Sequence, residues 1–207
     1  YVGEKHDRYG DHLTQLEVIR NLHRLQPKLA IGMEMFQRRY QKALDQYIAG
    51  KTDTATFLKN SRYFITWRFN YHLYEDILDY ARKHKIPVVA LNQDHELVGK
   101  VADQGLDQLE PEEEKLIPKE MALDDEDYKK RLRAVFDMHQ TELAGDKGPR
   151  DFEYFHQAQI LWDETMAETI ASFLKERPDY HLVVLAGNGH LAYGSGIPKR
   201  AYRRTAK

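Results

Sequence analysis

Apolar positions along the chain follow two alternating periods. Leu13, Leu16, Ile19, Leu22 and Leu25 stand three apart, with Val18 widening the stripe, which predicts an amphipathic helix ending before Pro27. The run Leu29-Ala30-Ile31-Gly32-Met33-Glu34-Met35 then predicts a buried strand that carries a carboxylate near its end. A polar helix over 37–48 stopping at Gly50, a short helix over 54–58 and a longer one over 67–84 follow; the last has Tyr71, Tyr74, Ile77, Leu78 and Ala81 on one face. Residues 86–91 form the clearest strand. A helix over 151–176 buries Phe155, Ala158, Met166, Ile170 and Phe173, and a strand over 181–186 empties into Gly187-Asn188-Gly189-His190.

Strands alternating with helices predict an α/β fold, a mostly parallel sheet flanked by helices with a smaller helical subdomain. The division expected is an α/β domain of residues 1–95 and 149–207 with an inserted helical lobe at 96–148 and an exit loop at 145–148. Within the lobe, acidic runs such as Asp124-Asp125-Glu126-Asp127 alternate with Lys129-Lys130-Arg131, the pattern of a solvated helical surface. The chain opens on Tyr1-Val2-Gly3-Glu4, which reads as the end of a strand, so a natural chain reaching further upstream is expected.

Composition narrows the chemistry. Among 207 residues, 31 Lys and Arg stand against 33 Asp and Glu, a formal charge of −2 that argues against nucleic acid as partner. No cysteine is present, which excludes disulfide scaffolds, thiolate metal sites and cysteine nucleophiles. The P-loop, HExxH, GxSxG and strand-following GxGxxG patterns are absent.

In open parallel sheets ligand sites form beyond the carboxyl ends of the strands. Three strands send polar groups there: Gly3-Glu4-Lys5-His6-Asp7, Glu34, and Gly187-Asn188-Gly189-His190. A histidine after a strand is more often a hydrogen-bonded structural residue, but three such groups on one edge favour a cleft. Glu4, His6, Glu34 and His190 are therefore candidates for acid–base catalysis or for holding a divalent metal. Tyr193, flanked by glycine-containing loop, offers a phenolate, a hard anionic donor suited to ferric haem. His190 and the helical His156 are further candidate haem contacts. Asp163 is a candidate carboxylate to orient His6 or His190.

Tyr1-Val2-Gly3-Glu4-Lys5-His6-Asp7, Gly32-Met33-Glu34-Met35-Phe36, Trp162-Asp163-Glu164-Thr165-Met166-Ala167 and Ala186-Gly187-Asn188-Gly189-His190 with Gly196-Ile197-Pro198 resemble the ChaN-like haem-binding proteins, over nearly the whole chain and in order. That resemblance implies a haem-binding protein of haem or iron uptake, tyrosine ligation at Tyr193, and a homodimer around paired haems. It also implies an extracytoplasmic lipoprotein, tethered to the membrane through an N-terminal anchor outside the given chain. The wider superfamily includes erythromycin-esterase-like and Tiki/TraB-type proteins. By that similarity the alternative is a hydrolase, metal-dependent or not, acting through Glu4, His6, Glu34 and His190.

Overall fold

A computed structural model of the chain describes residues 1–144 and 151–206, with the side chains of 139–144 left aside. The exit loop expected at 145–148 lies outside the described residues. The chain divides into two compact units, one of Tyr1–Asn92 and Met166–Lys207, the other Gln93–Thr165.

The first unit holds a four-stranded, wholly parallel sheet in the order β1-β4-β2-β3, with β1 at Val2–Glu4, β2 at Leu29–Gln37, β3 at Val88–Asn92 and β4 at His181–Gly187. Parallel strands need crossovers, and helices supply them. The helix α1 (Tyr9–Leu25) links β1 to β2. Between β2 and β3 come α2 (Gln41–Ile48), α3 (Thr54–Asn60), the single turn α4 (Tyr63–Thr66) and α5 (His72–His84). Every residue of β2 and β3 is buried, the mark of parallel strands covered on both faces, even though β3 stands at the end of the strand order. Leu16 and Ile19 of α1, Leu44 and Tyr47 of α2, Phe57 of α3 and Tyr74, Ile77 and Leu78 of α5 join Ile31, Met33, Val88 and Leu185 in one core.

Two helices differ from the pattern read in the sequence. On α1 the buried residues are His12, Gln15, Leu16 and Ile19, while Leu13 and Leu25 stand in solvent. A step of three residues falls about 60° short of a full turn, so five leucine-type positions spaced by three sweep around the helix and cannot share a face. The helix expected over 67–84 begins at His72, because Arg68 takes a left-handed backbone with φ 69° and ends helical continuity there. Before that break Trp67 lies against the His6 ring beyond the end of β1, and Tyr63 against Phe36 of β2.

The second unit is helical, built from α6 (His95–Gln104), α7 (Pro111–Glu114), α8 (Glu126–Ala144) and the first part of α9 (Phe152–Glu176). Two small clusters hold it: Leu97, Val98 and Val101 with Ala158 and Leu161, and Tyr128, Leu132 and Phe136 with Phe152 and Ile160. Arg133 lies 3.7 Å over the Phe152 ring, a cation–π contact on the second cluster. Among the described residues no helix is long and apolar enough to cross a membrane.

The register of α1 sets a direct test by denaturant unfolding. Leu16→Ala should lower stability by about 2–5 kcal/mol, the range for a truncated core leucine. Leu13→Ala should change it by less than about 0.5 kcal/mol, as at an ordinary surface position.

Candidate functional site

The last strand, β4, enters the sheet between β1 and β2, so its carboxyl end is bordered by the ends of two strands that precede it in sequence. Glu4 sits opposite Gly187 in the β1–β4 ladder, and Glu34 belongs to the other neighbour. Chain order alone thus places two carboxylates on either side of one glycine.

Glu4 is almost fully buried, and both its oxygens are engaged. One accepts from His6 Nδ1 at 2.8 Å and from the Tyr74 hydroxyl at 2.7 Å. The other accepts from Gln15 Nε2 at 2.9 Å and faces His12 Nδ1 at 3.2 Å. Burial would push the Glu4 carboxyl up, but the hydrogen bonds from His12, His6 and Tyr74 and the His12 charge outweigh it and hold the group at about 2. His12 Nε2 lies 3.2 Å from the His6 carbonyl oxygen, so both ring nitrogens face oxygens that only accept. A buried imidazolium follows. Burial lowers its pKa, and the Glu4 hydrogen bond and charge raise it further than burial lowers it. Burial, then the Glu4 charge and hydrogen bond, push the Tyr74 phenol far above its ordinary range, so it stays a donor.

Glu34 is the second buried acid. Its Oε2 accepts the Gly187 N–H at 2.6 Å and its Oε1 lies 3.4 Å from His190 Nε2. Burial opposes its ionisation, while the His190 charge and hydrogen bond, the His6 charge and the Gly187 amide prevail and depress its pKa. Gly187 cannot be larger: a Cβ there would sit 2.8 Å from His6 Cε1. The His6 ring is held on its other sides by Trp67, edge-on at 4.7 Å between centroids, and Phe69 at 5.1 Å. It is the half-open member of the group.

After β4 the chain makes one turn of helix, α10 (Asn188–Leu191), and a tight loop before α11 (Ile197–Thr205). Tyr193, at φ 57° and ψ 12°, and Gly194, at φ 69°, are successive left-handed residues in that loop. The Ser195 amide and hydroxyl close the turn on the Ala192 carbonyl, at 3.4 and 3.2 Å. Left-handed backbone is costly for a bulky residue, and here it carries a side chain that is 92 % exposed.

Glu4, His6, Glu34 and His190 therefore converge at one sheet edge, with Tyr193 three residues beyond His190. His156 belongs to the helical unit, wholly buried, 3.4 Å from Glu153 and stacked on Phe152. Asp163 accepts the Tyr128 hydroxyl within that same unit. Among the described residues no group of three or more His, Asp or Glu side chains is arranged to hold a metal ion. The expected metal ligands are turned toward one another, their carboxylate oxygens already taken by imidazole, phenol, amide and backbone N–H. His12, Gln15 and Tyr74 were not among the expected site residues. The signal for the first two was the spacing 12, 15, 16, 19, a helix face with two polar members.

The family model described as "Haem-binding uptake, Tiki superfamily, ChaN" matches residues 1–201, and the chain belongs to that family. A solved structure of cofacial heme binding to ChaN of Campylobacter jejuni superposes with a TM-score of 0.71 at 16% identity, covering 96% of this chain and 73% of that one. An H289N mutant of the erythromycin esterase EreC in its open conformation superposes at 0.50 with 14% identity, over 94% and 64% of the two chains. The chloroplastic protein RETICULATA-RELATED 5 of Arabidopsis thaliana is 26% identical over 220 residues, spanning 100% of this chain but 29% of its own length.

The buried acid gives a pH signature. Glu4 is depressed from 4.5 to about 2, so its contribution is present above pH 4.5 and lost as pH falls toward 2. That difference corresponds to on the order of 3 kcal/mol. Denaturant midpoints measured from pH 5 to pH 2.5 should fall steeply in the wild type. In Glu4→Gln the starting stability should be lower and this acid-dependent loss much smaller.

Proposed function

We propose that this protein binds ferric haem for uptake or transfer, with the Tyr193 phenolate as iron ligand. The observation that carries the reading is the turn at 192–195, which holds a bulky phenol in solvent on a left-handed backbone beside the polar sheet edge. Strain of roughly 1–3 kcal/mol at one exposed residue points to a role for that residue rather than to packing. Phenolate is a hard, anionic donor that favours the ferric state, which suits a carrier of haem. The residues present fit such a ligand: an outward phenol, with His190 on the single helical turn before it. Membership of the ChaN family supports the same reading. The Campylobacter jejuni protein is described as binding heme cofacially; a like arrangement here would join two copies of this chain through paired haems.

Titration with ferric haem tests this directly. The wild type should give a Soret shift with the charge-transfer absorbance of phenolate-bound ferric iron, and a rise in mass toward a dimer. Tyr193→Phe should lose that absorbance and bind at least about tenfold more weakly, which corresponds to about 1.4 kcal/mol. A haem spectrum unchanged by excess wild-type protein would remove the reading.

A second reading rests on His6. Because the Glu4 carboxylate accepts from its Nδ1, the neutral ring keeps its basic Nε2 on the side of Gly187, half-open to solvent. An imidazole so oriented can take a proton from water attacking an ester, with Glu34 and His190 as neighbouring polar groups. This would be hydrolysis without a metal. Turnover of simple aryl esters should then disappear in His6→Ala and fall in Glu34→Gln; equal rates in wild type and His6→Ala would end this reading.

A further inference from the structure

We propose that Arg200 is a positioning residue for Tyr193, setting the turn that presents the phenol; the inference rests on the tyrosine-ligation reading. Arg200 lies on the first turns of α11 and is 98% buried, an unusual place for a guanidinium. Its Nη1 donates to the Ser195 carbonyl at 2.6 Å and to the Gly196 carbonyl at 3.3 Å. These are the two residues that join the left-handed pair Tyr193–Gly194 to α11. Charged donors make the stronger hydrogen bonds, and a buried one loses most if its acceptors shift. The cation therefore fixes the carbonyl end of the turn, while the Ser195 amide and hydroxyl fix its other end on Ala192.

The arrangement answers a physical difficulty. Two successive left-handed residues, one of them tyrosine, would relax toward ordinary backbone in an untethered surface loop. Relaxation would swing the exposed phenol away from any fixed direction, and an iron ligand held in many directions binds with the entropy cost of ordering it. Arg200 ties the loop from below, where the fixed helix α11 and the buried Ile197 and Ala201 give it a rigid base. Arg204 Nη1 in turn donates to the Arg200 carbonyl at 3.2 Å.

The test uses the whole chain and four variants. Arg200→Met keeps the length of the side chain and removes the donor; Arg200→Lys keeps the charge without the fork. Gly194→Ala leaves Arg200 and the core untouched but strains the turn, because a Cβ at Gly194 meets no atom within 4 Å yet stands at φ 69°. Gly194→Asn should tolerate that backbone and rescue it. Amide hydrogen exchange on the haem-free protein reads the loop itself: exchange at 193–196 should quicken at least tenfold in Arg200→Met and Gly194→Ala, little in Gly194→Asn, and to an intermediate degree in Arg200→Lys. The same order should appear in the loss of haem affinity and of the phenolate absorbance. Unchanged loop exchange in a folded Arg200→Met would overturn the proposal, as would rapid exchange with haem affinity and spectrum intact. If Arg200→Met does not fold, the glycine pair decides: equal exchange and affinity in Gly194→Ala and Gly194→Asn would overturn it. Failure of the ligation reading would look different, since Tyr193→Phe would then bind haem as the wild type does.

Discussion

The position of β4 between β1 and β2 is the constraint on which the rest of the site depends. Because the strand arrives last and pairs on both sides, its terminal glycine must fit between groups fixed by earlier parts of the chain. The Glu34 carboxylate seizes the Gly187 N–H, and the His6 ring lies against the bare α-carbon. A side chain at that position would part the two acid–imidazole pairs. Backbone topology and one missing Cβ thus bring together residues separated by more than 150 positions in sequence.

Around that point the protein keeps several charges away from water, and it does so by pairing. Glu4 with His12 forms one neutral couple whose hydrogen-bonding capacity is filled by His6, Gln15 and Tyr74. A buried ion of either sign alone would cost several kcal/mol. Paired and fully hydrogen-bonded, the couple serves instead to fix His6 in one orientation. The carboxylate oxygens of Glu4 and Glu34 are thus engaged by their neighbours, and among the described residues no group of three or more such side chains is arranged to hold a metal ion.

Much of this was legible in the sequence. Unbroken apolar runs such as 29–33 and 182–186 announce parallel strands, and the polar residues that follow them announce the edge where ligands gather. What the pattern hid was the face of α1. Leucines spaced by three drew attention to a stripe that winds around the helix, whereas the buried face includes His12 and Gln15, polar residues that composition alone would assign to the surface. Their burial is decided by Glu4, a contact across sequence that no local period reveals. The break at Arg68 was hidden for a related reason, since an arginine in left-handed backbone carries no sequence signal of the kind glycine gives. His156 shows the reverse case: a residue type that invites a ligand role is fully buried within the helical unit, stacked on Phe152.

The first strand, Val2–Glu4, pairs with β4 and delivers Glu4. What seats it are the side-chain ties from α1 and α5 to the carboxylate, so the acid that organises the pocket also staples its own strand. The same hydrogen bonds thus serve two ends at once, shaping the pocket and anchoring the strand that supplies its acid.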